Sequence, residues 1–255
     1  MWLLTALRLI VTFVGMSERS VGTLLADRSV DADLRIRTAA VLLFARRGYA
    51  ATGVRDIARL VGLTNAAIYH HVSSKEELLA DIMRAGQNRL IASTRRGLRG
   101  VVRPEDALAI LISSLTATHG LHRMVTRVMD GELRSLTPGS AAYQEIIALR
   151  DAYEDEWRRV LARGVEEGVF RIGDPRLTRL GLMAMCTGTS EWYRPGGPAA
   201  LERVCLEFVE MGLRAVRARR DGVPVTAGDT PPPDLSLVPP LPWEPPWDEA
   251  ADLAG

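Results

Sequence analysis

The sequence predicts an all-α protein: an N-terminal three-helix domain of helix-turn-helix form followed by a larger helical domain. Three observations carry this. Apolar residues recur at helical spacing, as in Val54, Ile57, Ala58 and Val61 at i, i+3, i+4 and i+7. Glycine and proline gather at the ends of such runs, and no sustained apolar/polar alternation marks a strand. With 255 residues, 47% of them hydrophobic, the chain is long enough to bury a sizeable core and to divide into two domains.

Taken in order, the chain opens on an apolar run, MWLLTALRLIVTFVG. It is shorter than the roughly 20 apolar residues of a spanning helix, and it lacks a basic leader and a small-residue cleavage site. Residues 1–30 are therefore read as an N-terminal extension or arm with Met16 as a candidate true start, and no membrane partner is expected. A first helix is expected over Ala32–Arg47, with Ile36, Ala39, Ala40, Leu43 and Phe44 on one face and Gly48 as its stop. Arg35, Arg37 and Arg46 are expected in solvent or near phosphates. A second helix runs from about Thr52, the better cap beside Gly53, to Val61, and Gly62 ends it. Thr64 then caps a short third helix over about Asn65–His71, and Ser74-Lys75-Glu76-Glu77 reads as a capping box for a long helix to about Leu98.

Beyond it, Pro104 starts an apolar helix with a break expected near Gly120, and Glu132–Leu136 reads as a short helix ended by Pro138. Ser140–Gly168 is amphipathic. Asp174-Pro175 opens a helix to about Tyr193, and Leu201–Ala215 forms the last. From Gly222 the chain holds nine of its fourteen prolines, a density no helix survives, so residues 221–255 are expected to be a Pro-rich, acidic, disordered tail with Trp243 and Trp247 as potential anchors.

The charge is divided. The tail carries seven acidic residues and no basic one, leaving 32 basic against 24 acidic residues before it. A basic body suits a nucleic-acid binder without establishing one. Arginine supplies 31 of the basic residues, and the sole lysine is Lys75.

In a helix-turn-helix the second helix enters the major groove while the first crosses the backbone. On that geometry Thr64, Asn65, Ala66, Ala67, Tyr69 and His70 are the residues able to face DNA, with Ile68 inward. Asn65 is the best specificity residue, since a carboxamide pairs bidentately with adenine N6 and N7, and Ala66 and Ala67 suit thymine methyl groups. Thr52, Arg55 and Lys75 are candidate phosphate contacts. Arg59 is read as a surface salt bridge.

The order FARRGY, T-x-V-R-D-I-A, G-L-T, I-Y-H-H, S-K-E-E-L-L resembles the DNA-binding domain of TetR-family transcriptional repressors over about Ala32–Met83. Gly53 and Val72 depart from that pattern, standing where a hydroxyl residue and an aromatic are frequent. The resemblance implies DNA binding by residues 31–78, ligand binding and dimerisation by 79–220, a phosphate contact for Tyr69, and a cytoplasmic homodimer on a pseudo-palindromic double-stranded operator. It also implies that the last two helices, with Gly181, Ala184, Met185, Gly188, Val204, Phe208, Met211, Gly212 and Ala215, pair with a second subunit. The WYRPGG turn is similar to the branch that responds to acyl-CoA thioesters in lipid or sterol breakdown.

The expected function is a repressor that releases its operator on binding a small hydrophobic effector. Alternatives are a repressor of a multidrug efflux gene, or a helical small-molecule carrier or enzyme without a DNA role. No GxSxG or phosphate-binding glycine loop speaks for an enzyme. Leu115, His119, His122, Met124, Tyr153, Trp157, Met183 and Trp192 are candidate pocket residues, with core packing as the default for the aromatics. His119 and His122 are spaced for a metal but lack further ligands, so no metal or cofactor is expected. Cys186 and Cys205 fit buried thiols.

Overall fold

The computed structural model describes residues 24, 25, 27–241, 243 and 244. Helices dominate. The first, α1 (Ala32–Arg47), starts where the Asp31 carboxylate accepts from Asp33 N–H and Leu34 N–H, and stops at Gly48 with φ +81°, a left-handed conformation suited to glycine. Helix α2 (Val54–Leu60) is capped by Gly53, not Thr52. Gly53 N–H donates to Asp56 Oδ2 at 2.9 Å. Helix α3 (Asn65–Ile68) is shorter than expected, although Thr64 Oγ1 caps it by accepting from Ala67 N–H. His70 and His71 continue as a tight turn, their N–H groups donating to carbonyls three residues back, Ala67 O and Ile68 O. Ser74 Oγ accepts from Glu77 N–H at the start of α4 (Lys75–Gly97).

Next come α5 (Pro104–Leu121), α6 (Arg123–Gly131), α7 (Ala141–Glu166), α8 (Pro175–Thr187), α9 (Thr189–Trp192) and α10 (Leu201–Ala215). The break after α5 falls at His122, two residues past the expected glycine, because Gly120 lies under Leu201 and continues the helix. Glu132–Leu136 holds only a 3-10 turn, Leu133–Ser135. Gly188 divides the expected helix to Tyr193 into α8 and α9.

The chain forms two compact units. One takes residues to 83 together with 127–143 and those from 240; the other takes 84–126 and 144–239. In the first, Ile36, Phe44, Ile57, Ile68, Leu79 and Ile82 are buried, as the apolar spacing requires. Residues distant in sequence brace it. Tyr49 N–H donates to Glu132 Oε1 at 2.9 Å, and Thr137 donates through N–H and Oγ1 to the Glu76 carboxylate.

In the second unit α5 is central, with sixteen of its eighteen residues buried. Helix α10 lies close along it: a Cβ on Gly212 would stand 2.3 Å from Ile112 Cδ1. Tyr153, Trp157, Val160 and Leu161 of α7 join the same apolar cluster as Leu108, Leu111, Ile112 and Leu115 of α5.

The expected disordered tail is corrected for residues 221–241. Arg219–Arg220 (β1) pairs antiparallel with Val223–Pro224 (β2) across a turn in which Asp221 and Gly222 both have positive φ. Val225 N–H donates to Ala218 O, Ala227 N–H to Glu210 Oε2, and Arg103 Nη2 to Asp229 O. Val225, Thr230, Val238 and Leu241 are buried. Proline density forbids an α-helix and leaves two 3-10 turns, Ala227–Asp229 and Leu235–Leu237, yet every carbonyl remains an acceptor and the strap packs by its valines and leucines. Trp243 is also buried, whereas the expectations for Trp247 and for Met16 fall outside the described residues.

Candidate functional site

The first unit presents a short, firmly held recognition segment. Ile68 is fully buried and anchors α3, so the remaining side chains of the turn project outward. Thr64, Asn65, Ala66 and His70 are exposed, Ala67 is half-buried, and Tyr69 is 58% exposed. The Tyr69 hydroxyl is thus not a core group. Arg55 is exposed on α2, and Arg59 makes the expected surface pair with Asp56 at 3.4 Å. Beside α2, Arg46, Arg47 and Arg59 line an open hollow of about 420 Å³ together with Asp56, Leu42, Leu43 and Leu60. Burial, and then the neighbouring charge of Arg47, lowers the pKa of Arg46, as like charges crowd there.

Three sequence expectations for this surface are corrected. Thr52 is buried, and its Oγ1 donates to Gly48 O at 2.9 Å, closing the turn instead of facing phosphate. Lys75 Nζ donates to Tyr49 O and Thr52 O, both at 2.9 Å, and lies 3.9 Å above the Tyr49 ring. An ammonium so occupied is a lock across the start of α2. Arg35 is buried, its Nη1 donating to Leu25 O and Val61 O, so it ties α1 to the end of α2. Sequence reading missed Tyr49. Its place directly after the helix-stopping Gly48 was the available signal.

His71 Nδ1 meets Asp33 Oδ1 at 2.8 Å, a surface contact between the recognition turn and α1 in which both residues are exposed.

In the second unit the candidate pocket residues separate. Leu115, His119, His122, Met124, Tyr153 and Trp157 are buried and Met183 is half-buried, but Trp192 is half-exposed and rests its ring against Phe208. The two histidines serve different carbonyls: His119 Nδ1 lies 2.9 Å from Leu115 O, and His122 Nε2 lies 3.2 Å from Pro239 O. Each of these nitrogens therefore carries its proton.

The interior is polar where an apolar core would not be. Thr116 Oγ1, Tyr153 Oη and Trp157 Nε1 are buried without a hydrogen-bond partner in acceptable geometry. Burial pushes the Tyr153 hydroxyl pKa up, opposed in part by Trp157 and Thr94 beside it. Burial also pushes Cys186 up to about 12, opposed by Thr116. These residues come from α4, α5, α7 and α8, and they set hydroxyl, indole N–H and thiol groups beside one another within an otherwise apolar core. Thr94 and Thr116 were illegible beforehand, since hydroxyls within apolar helical runs look like filler.

Of the expected pairing face, Gly181 and Ala184 on α8 and Met211 and Ala215 on α10 are exposed, with Met185, Gly188 and Phe208 half-buried; Leu177 and Leu180, which that expectation did not include, are exposed on α8 as well. Val204 and Gly212 are corrected: both are buried, Gly212 against Ile112 of the same chain.

Among the described residues no helix is long and apolar enough to cross a membrane. Residues 36–82 match the family of bacterial regulatory proteins named after TetR, and residues 101–216 match the tetracyclin repressor-like C-terminal domain. The HTH-type transcriptional repressor KstR2 of Mycobacterium tuberculosis is 30% identical over 179 residues, covering 69% of this chain and 88% of that protein. The solved structure of that organism's ketosteroid transcriptional regulator KstR2 superposes with a TM-score of 0.69 at 26% identity, covering 77% of this chain and 100% of the other. The TetR-family regulator PfmR of Thermus thermophilus gives 0.64 at 35% identity, covering 71% and 98%. The fold, the helix-turn-helix and these likenesses agree: the chain belongs to the TetR family of bacterial regulatory proteins.

Proposed function

We propose that the protein is a homodimeric transcriptional repressor that leaves its operator when an amphipathic effector, of the acyl-CoA thioester kind, enters its second unit. The observation that carries the DNA reading is the outward row Asn65, Ala66, Tyr69 and His70 on a segment pinned by buried Ile68 and capped by Thr64. Asn65 reads adenine, Ala66 and Ala67 meet thymine methyls, and Tyr69 and Arg55 hold phosphates. A two-fold dimer places such rows about 34–36 Å apart, or a multiple of that, on a pseudo-palindrome. The polar groups of Thr116, Tyr153 and Trp157 within that apolar core support the effector reading, because they suit a guest with polar groups on an apolar body. The repressor names carried by the KstR2 relatives support the direction of control.

The test is a gel-shift series on the promoters of its own and flanking genes. A salt-sensitive, sequence-specific shift that acyl-CoA thioesters abolish is expected. A protein that shifts no genomic fragment is not a repressor, and a shift indifferent to every thioester removes that effector class. A tenfold loss of operator affinity requires only about 1.4 kcal/mol of coupling.

A further inference from the structure

The matched C-terminal domain ends at residue 216, yet the chain continues as an ordered strap. After the hairpin, the strap runs beside α5 from its beginning to its end. Asp229 O accepts from Arg103 just before α5, Leu237 Cδ1 lies against Gly97 where Ile110 also packs, and Pro239 O lies at His122 just after it.

The last stretch is arranged like a bound amphiphile. The Val238 side chain is buried in an apolar cluster formed by Ala117, Tyr193, Leu201, Val204 and Cys205, with Leu235 packed beside it. The adjoining Pro239 carbonyl oxygen is shared by two donors distant in sequence, Arg89 Nε on α4 at 3.2 Å and His122 Nε2 just after α5 at 3.2 Å. An apolar group thus sits in an apolar seat, and the next oxygen along sits on a guanidinium and an imidazole.

A neutral carbonyl is a modest acceptor for such a pair. The Arg89 bond to that carbonyl is charge-assisted through its donor alone, and a carboxylate or phosphate oxygen in the same place adds the attraction between unlike charges. Burial, and then the charge of Arg96, lowers the Arg89 pKa, so its cationic form gains from an anion at this position.

We propose that Arg89 and His122 form the anion-binding end of the effector site and that Leu235–Pro239 is its built-in competitor, which an amphipathic anion displaces. This rests on the effector reading above and adds to it a charge requirement and an intrinsic rival. The anion is a carboxylate or a coenzyme A phosphate, two sources of one chemistry.

The experiment titrates the full-length protein with oleoyl-CoA, oleate and uncharged methyl oleate by calorimetry, alongside Arg89→Gln, His122→Gln, Val238→Gly and a chain ended after Thr230. Either charged probe is expected to bind about tenfold more tightly than the ester, and whichever charged probe is tighter identifies the source of the anion. Arg89→Gln and His122→Gln should weaken the charged probes by about tenfold and leave the ester unchanged. Loosening the strap should tighten the charged probes, and Arg89→Gln should cancel that gain. Val238→Gly keeps the full chain should the shortened one fail to fold.

Equal losses for ester and acid in Arg89→Gln, unaltered or weaker binding after loosening the strap, or no binding of any probe would overturn the proposal. An operator shift measured on the same samples separates the two readings. A shift without the charge preference sinks this site alone, while absence of any shift sinks the repressor and leaves the direct titration to judge the site.

Discussion

The ammonium of Lys75 stands 3.9 Å above the Tyr49 ring and donates to the carbonyl oxygens of Tyr49 and Thr52. It thereby ties the first turn of α4 to the loop between α1 and α2. The chain's sole lysine is thus a brace within the helix-turn-helix unit.

Lys75→Ala should lower stability by about 1–3 kcal/mol in urea unfolding, since hydrogen bonds from a charged donor are lost and two carbonyls are left to water. Operator affinity should fall because α2 is less well held. The slope of log affinity against log salt should not change. A phosphate contact at Lys75 would instead reduce that slope by about 0.9 for each phosphate lost.

Asn65→Ala should relax discrimination at one base pair per half-site by about 1–3 kcal/mol. Tyr69→Phe should weaken all sequences alike, as loss of a phosphate contact does. Competition gel shifts against a library of singly substituted operators read both effects. A uniform loss from Asn65→Ala would show that it does not read a base.

Leu180→Glu, on the exposed face of α8, should produce a folded monomer with weakened operator binding, seen by sedimentation and circular dichroism. Gly212→Val should behave differently. Its side chain collides with Ile112, so overpacking should cost about 1–3 kcal/mol or more and lower the unfolding midpoint before any change in assembly. A dimer that persists in Leu180→Glu would move the subunit interface elsewhere.

Burial pushes the thiols of Cys186 and Cys205 up to about 12, from an ordinary value of 9.0. A thiol whose folded pKa is raised contributes its full stability below the unfolded value. Above about pH 9 the unfolded chain loses the proton and the folded chain keeps it, so that contribution declines as pH rises through the folded value. Iodoacetamide at pH 8 should therefore label neither thiol in the native protein and both after denaturation, as mass spectrometry would report. Rapid native labelling would contradict the burial.

Local chemistry explains what the sequence revealed. Thr64, Ser74 and the Pro104 and Pro175 starts act on neighbours within one turn, so their caps and helix beginnings are visible in the order of residues. Arg35 and Lys75 have roles set by groups 10 to 26 positions away that are brought near only by folding, and Thr52 turns back onto the Gly48 carbonyl, so the polar character of all three alone suggested solvent or phosphate. The strap was hidden for another reason. Proline richness announces the absence of a helix and is silent about packing, and its key acceptor, the Pro239 carbonyl, belongs to the backbone and has no side-chain signature. Val204 and Gly212 were misplaced because a helix with apolar residues on adjoining faces does not say which face meets its own core.

The bond between His71 and Asp33 joins the recognition turn to α1. That surface contact adds little by itself, but with Ile68 buried beneath the turn and the Lys75 brace beside it the reading head has little freedom to remodel itself around an imperfect site. Adaptation then passes to the nucleic acid. Operators with pliant pyrimidine–purine steps between the half-sites, which bend at lower energetic cost, should be favoured at base pairs that no side chain touches.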